Sequence, residues 1–116
     1  MMKVALACDH GGFDYKEKLK AVLVSEGYEV TDFGCHSAAS VDYPDMAYPC
    51  AKAVADGEAD RGIVICGTGI GISIAANKVK GVRAALCHDC FSAQATREHN
   101  DANIVAMGAR VIGPGL

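Results

Sequence analysis

The sequence predicts an α/β fold: a three-layer α/β/α, Rossmann-like domain with a five-stranded parallel sheet at its centre. Three observations predict it. Short, continuously apolar runs recur along the chain, as strands buried on both faces require. Between them lie stretches whose apolar residues repeat at helical spacing. Glycine, aspartate and histidine gather where the apolar runs stop, which is where an open parallel sheet collects its ligands. With 116 residues, 51% of them hydrophobic, the chain can bury one such core and is too short for two, so residues 1–116 are read as a single domain.

The elements follow in order. Residues 4–8 are continuously apolar and form the first strand, with Asp9-His10-Gly11-Gly12 as its turn. Across 13–26, Tyr15, Leu19, Val22 and Leu23 fall at i, i+4, i+7 and i+8 with lysines between them, and Gly27 supplies a helix stop. Residues 29–33 read as the second strand, and 34–44 as a long polar loop. The second helix carries Ala47, Cys50, Ala51 and Val54 on one face; Pro49 removes a donor, so its regular part is expected to begin near Tyr48. The third strand is 63–66, its turn the glycine run 67–71, and the third helix 72–78. A fourth strand over 82–87, a helix over 91–98 and a fifth strand over 104–107 complete the alternation. Only residues 108–116 follow, too short and too rich in Gly and Pro for another helix. One sheet face beside the fifth strand is therefore expected to lie bare unless a partner chain or further sequence covers it.

Composition removes several function classes. Eleven Lys and Arg against 14 Asp and Glu leave a net charge of −3, with no basic excess to neutralise a nucleic-acid backbone. The six cysteines, at 8, 35, 50, 66, 87 and 90, are expected to be reduced: a chain able to build its own core does not need them as staples, and several sit inside apolar runs. A cytoplasmic location follows. The opening Met1-Met2-Lys3 and the apolar run ending at Cys8 superficially resemble a lipoprotein leader, but that run is too short for a signal peptide or a membrane span.

The sharpest chemical feature is Cys66-Gly67-Thr68-Gly69-Ile70-Gly71-Ile72-Ser73. Alternate glycines between a strand and a helix let successive backbone N–H groups converge on an anion, and the helix N-terminus adds to them. A thiol at the head of such a turn is placed where its thiolate is stabilised, to act as base or nucleophile. The plainer alternatives are a ligand-free tight turn and a buried structural cysteine. Ile72 stands where a dinucleotide fingerprint needs its third glycine, and the Gly-Lys-Ser/Thr of a P-loop is absent. Cys87-His88-Asp89-Cys90 has the placement of a dithiol redox pair, without the proline turn that accompanies it in thioredoxin-like folds. Cys87 and Cys90 with Cys35 and His36 lack a second ligand pair at zinc spacing, so no metal is expected. Asp9 and His10 join Cys66 at the strand ends, whereas His99 and Asn100 lie just before the fifth strand, outside an obvious single-chain pocket. Together these groups suggest proton transfer on a small oxyanionic substrate.

Taken together, Cys8-Asp9-His10-Gly11-Gly12, Val41-Asp42-Tyr43-Pro44, the segment from Ile65 through Cys66 and the glycine turn to Asn77-Lys78, and Arg97-Glu98-His99-Asn100-Asp101-Ala102-Asn103 resemble the type B ribose-5-phosphate isomerases. That family also holds galactose-6-phosphate and allose-6-phosphate isomerases, and the likeness runs from residue 3 to the end. The resemblance implies aldose–ketose isomerisation of a phosphorylated sugar, ribose 5-phosphate to ribulose 5-phosphate, without metal or organic cofactor. It implies Cys66 as the base between C1 and C2, and the amides of Gly67, Gly69 and Gly71 as the cradle of a cis-enediolate, with Thr68 assisting. His99 with Asp9 would open the furanose, Asn100 would bind sugar oxygens, and His10 and Arg110 would help with the phosphate. It further implies a homodimer or homotetramer in which His99 and Asn100 reach a neighbouring subunit's pocket. Family members continue through roughly another 30 residues, about one helical segment, carrying two phosphate-binding arginines. Because the sequence stops at Leu116, we expect a truncated chain whose main phosphate clamp lies beyond it. A six-carbon sugar phosphate, or a non-catalytic oligomer that binds a sugar phosphate, remains the alternative.

Overall fold

The structure is a computed structural model that describes residues 1–36 and 42–116. Among these, five strands and four α-helices alternate: β1 (Lys3–Cys8), α1 (Phe13–Ser25), β2 (Glu29–Asp32), α2 (Tyr43–Ala55), β3 (Arg61–Cys66), α3 (Ile70–Asn77), β4 (Ala84–Leu86), α4 (Cys90–Asn100) and β5 (Ile104–Gly108). A 3-10 turn, His10–Gly12, joins β1 to α1. The sheet runs β2-β1-β3-β5-β4, parallel throughout, as the apolar runs predict.

Side chains alternate across the strands. Ala5, Ala7, Val64, Cys66, Ile104 and Ala106 point toward α2 and α3 and form the larger core with Cys50, Ala51, Ile72 and Ala76. Cys8, Ile63, Ile65 and Met107 point the other way, toward Phe13, Tyr15 and Leu19 of α1. On that second face α4 packs loosely: none of its residues is buried, and Phe91 is 82% exposed. An apolar groove of about 280 Å³ opens there between Tyr15, Leu19 and Val22 of α1, Met107 of β5 and the tail at Ile112. Val105 and Met107 of β5 form its floor on that sheet face.

Three expectations need correction. Helix α2 starts at Tyr43, well before Tyr48, because Pro44 occupies the first turn, where its missing N–H has no helical role; Pro49 is then absorbed inside the helix at the cost of one ladder bond. Strand β4 shrinks to Ala84–Leu86, since the Val82 N–H turns back onto Val79 O and the Arg83 N–H is taken by the Asn103 side chain. The edge strands β2 and β4 are only partly buried, having a neighbour on one side alone. Lys16, one of the lysines between the apolar positions of α1, is 1% exposed: its Nζ donates to Asp32 Oδ2 at 2.7 Å and to Cys35 O at 2.6 Å. Of the Val41-to-Pro44 motif, Val41 lies outside the described residues. Among the described residues no helix is long and apolar enough to cross a membrane.

Candidate active site

The carboxyl ends of β1, β3 and β5 bring three turns into contact. After β1, Asp9 is drawn inward to cap the 3-10 turn: its Oδ1 accepts the N–H groups of Gly11 at 2.9 Å and Gly12 at 3.2 Å. His10 stands exposed beside it. Gly11 has no room for a bulky neighbour, since a Cβ there would lie 3.3 Å from Gly67 N, so the β1 and β3 turns are contiguous.

After β3, Cys66 ends buried at 4% exposure, and its Sγ accepts the Gly69 N–H at 3.1 Å. Gly69 holds a φ of +78°, a left-handed conformation that glycine adopts freely, and a Cβ there would strike Leu86 Cδ1 at 2.6 Å and Met107 C at 2.7 Å. The Ser73 N–H is the first to bond back along α3, to Gly69 O at 3.1 Å. The amides before it, including that of Gly71, have no helical carbonyl partner, which is the usual make-up of an anion cradle. Thr68 is exposed, and its Oγ1 accepts the Ile70 N–H at 3.2 Å.

After β5, the chain closes the site from the far side. The N–H groups of Ala109 and Arg110 donate to Cys66 O and Gly67 O, each at 2.9 Å. The Arg110 side chain lies over Gly67, where a Cβ would meet its Nε at 3.6 Å and its Cζ at 3.7 Å. A cation thus sits beside the glycine turn that carries the thiol. Gly108 is the tightest position of the three turns: a Cβ added there would stand only 2.5 Å from Thr68 C and O.

The structure therefore brings together Asp9, His10, Cys66, Gly67, Thr68, Gly69, Gly71 and Arg110. It does not bring His99 and Asn100 to them. Both are exposed at the end of α4, at the amino ends of the strands, where Arg83 Nε donates to Asp101 O at 2.7 Å. The other cysteines differ from Cys66. Burial pushes Cys50 up to about 12, and burial with the Cys35 thiol at 3.6 Å does the same to Cys8. Cys87 is also raised, by burial and then by Asp89, the reverse of what a dithiol nucleophile needs. Among the described residues no three His, Cys, Asp or Glu side chains converge as metal ligands would.

Sequence reasoning gave no role to two residues at this edge. His88 is half-buried, with Nε2 accepting the Gly108 N–H at 3.0 Å, and Gly108 itself has no room for a side chain. The position of His88 just past a strand end was a usable signal. The steric requirement at Gly108 arises only when β5 meets the β3 turn.

An open parallel sheet whose strand ends carry a thiol, an amide-rich turn and a guanidinium defines an enzyme of the α/β class acting on small anionic molecules. The comparisons narrow that class. The family described as Ribose/Galactose Isomerase matches residues 4–116, and the chain belongs to that family, whose members are sugar-phosphate isomerases. Ribose-5-phosphate isomerase B of Escherichia coli is 54% identical over 113 residues, spanning 97% of this chain and 76% of that relative. The D-erythrulose-4-phosphate isomerase of Pectobacterium atrosepticum is 47% identical over 117 residues, spanning 100% of this chain and 77% of that relative. Among solved structures, ribose-5-phosphate isomerase B of Clostridium thermocellum superposes with a TM-score of 0.98 at 57% identity, over 99% of this chain and 78% of that one.

Proposed function

We propose that this sugar-phosphate isomerase interconverts D-ribose 5-phosphate and D-ribulose 5-phosphate, a step of the pentose phosphate pathway, in the cytoplasm. The observation that carries the reading is the Gly69 N–H directed at Cys66 Sγ from within a glycine turn at a strand end. A thiolate there has a donor to hold it and sits at the mouth of an amide cradle.

Cys66 as thiolate takes the proton from C2 of the open-chain aldose, and the electron pair moves onto the carbonyl oxygen to give a cis-enediolate. The amides of Gly67, Gly69 and Gly71 hold that charge, the oxyanion-hole role of preorganised donors. The C2 hydroxyl proton passes to O1 as the C2–O bond becomes the new carbonyl, and the proton held on Cys66 is delivered to C1, leaving the ketose and the thiolate restored. Thr68 adjoins the same oxygens, and Arg110 with His10 faces the phosphate. No metal or organic cofactor enters this proton transfer. Ring opening is assigned to His99 with Asp9, whose Oδ2 remains to act while Oδ1 caps the turn. His99 and Asn100 reach the pocket from a second copy of the chain, in a homodimer or homotetramer. The unburied α4 with its exposed Phe91 supports such an interface.

A second reading is favoured by the family description and by the Pectobacterium relative: the same site serving a six-carbon or a four-carbon sugar phosphate. Assaying the purified chain on ribose 5-phosphate, allose 6-phosphate, galactose 6-phosphate and D-erythrulose 4-phosphate separates them. Highest kcat/KM on ribose 5-phosphate supports the first reading, and faster turnover of another sugar replaces it. Binding of all four without turnover would leave a sugar-phosphate-binding oligomer.

A further inference from the structure

We infer that His88 is a positioning residue for the proton-transfer turn, acting through the backbone of Gly108 and only while its Nε2 carries no proton. The inference rests on the sugar-phosphate isomerase reading of the Cys66 turn. Strand β4 ends at Leu86, and the Cys87 N–H still donates to Ala106 O at 3.0 Å. One step further, where a longer β4 would offer a backbone carbonyl to Gly108, the imidazole offers its lone pair instead, at 3.0 Å. An acceptor at Nε2 fixes the neutral ring with its proton on Nδ1.

Gly108 transmits the constraint because nothing around it is slack. A Cβ on Gly69 would lie 2.9 Å from Gly108 N, and one on Gly108 would lie 2.5 Å from Thr68 C and O and 2.9 Å from Gly67 O. The peptide nitrogen that His88 holds therefore abuts Gly69, whose own N–H points at Cys66 Sγ. Protonation of Nε2 sets two N–H groups against each other, frees the Gly108 amide and loosens the support of the turn. The titratable and charged residues lining the groove that His88 also lines are Cys87, Asp89 and Cys90 on its own segment and Tyr15 and Lys18 on α1; the strand and tail side chains there carry no charge. The test spans the range in which histidine side chains as a class change charge, about pH 5 to 8.

Two variants and two readouts test this. His88→Ala should lower kcat about fivefold, the rate equivalent of one net hydrogen bond, with KM held within about twofold. In His88→Gln the amide oxygen can accept from Gly108 without titrating, so kcat should recover to within about twofold of wild type. The wild-type to His88→Gln ratio of kcat should fall as the pH drops from about 8 to about 5. The second readout is direct: the Gly108 amide resonance should move with pH in the wild type and stay fixed in His88→Gln. Equal losses in the Ala and Gln variants, wild-type kcat in the Ala variant, or a Gly108 resonance indifferent to His88 would each overturn the inference. Should the chain turn over no sugar phosphate, the isomerase reading fails separately. The Gly108 titration, with the Cys66 alkylation rate in His88→Ala, then decides the role of His88: slower alkylation supports it and an unchanged rate overturns it.

Discussion

Replacing Gly108 by alanine tests how rigidly the three turns hold the thiol. The added Cβ would stand 2.5 Å from Thr68 C and O, whereas ordinary contact begins near 3.4 Å, so the turn or the end of β5 must retreat by about 0.9 Å. Every atom in the way is backbone, and no flexible side-chain end can yield. Overpacking of this kind costs about 1–3 kcal/mol of stability, or roughly 4–12 °C in Tm for a domain of this size. A misplacement near 1 Å in a catalytic constellation costs about 100-fold in rate, near 2.7 kcal/mol of barrier. The assay is kcat for ketose formation at saturating ribose 5-phosphate, measured well below the melting transition of the same preparation. A folded Gly108→Ala protein within threefold of wild-type kcat would refute the reasoning. Gly27→Ala is the control: its φ of +90° makes alanine strained, about 1–2 kcal/mol, but nothing lies within 4 Å and kcat should not change.

Three further outcomes are expected. Lys16→Met removes the buried partner of Asp32 but leaves it Lys20 at 3.2 Å and the Gly34 N–H at 2.9 Å, so it should destabilise the fold by about 1.5–3 kcal/mol in chemical denaturation, the scale of one hydrogen bond to a charged group. Its pH dependence has a definite sign. Burial opposes both charges, but the mutual hydrogen bond and attraction win, raising Lys16 above its usual value and lowering Asp32 below its own. The stability difference from wild type should be full between roughly pH 5 and 10, fading as acid protonates Asp32 or alkali discharges Lys16; a difference unchanged at both extremes would contradict the pairing. Thiol mapping by mass spectrometry at neutral pH should find exposed Cys90 alkylated, with Cys8 and Cys50, pushed up to about 12, protected until unfolding; early labelling of either would contradict their burial. Phe91→Glu should split the proposed oligomer in sedimentation and lower kcat together, since His99 would no longer reach a second pocket; loss of one without the other would separate interface from site.

Features carried by local chemistry were legible in the sequence. Continuous apolar runs marked β1, β3 and β5, and the glycine turn after Cys66 announced itself by composition. What escaped depends on distant partners. Lys16 looks like any helix-surface lysine until β2 places Asp32 against it. The length of β4 is decided by Asn103, 20 residues after Arg83. The early start of α2 was readable in principle from Pro44, whose fixed φ suits a first turn, but Pro49 weighed more heavily. At the site, Cys66, Asp9 and the glycines could be collected from strand ends. The clasp of Ala109 and Arg110 over the β3 turn, and His88 behind Gly108, follow from the strand order β3-β5-β4, in which β5 inserts between two strands consecutive in the chain. His99 and Asn100 stand apart from the thiol in one chain, so the role proposed for them depends on the proposed oligomer.

The most direct test of the central claim is hydrogen exchange between substrate and solvent at the reacting carbons. Incubated in deuterated buffer with ribose 5-phosphate, the wild type should exchange the C2 hydrogen of the aldose and the transferred hydrogen at C1 of the ketose during turnover. A folded Cys66→Ala protein that still binds the sugar phosphate should exchange neither. Exchange persisting at the wild-type rate in that variant would contradict Cys66 as the base.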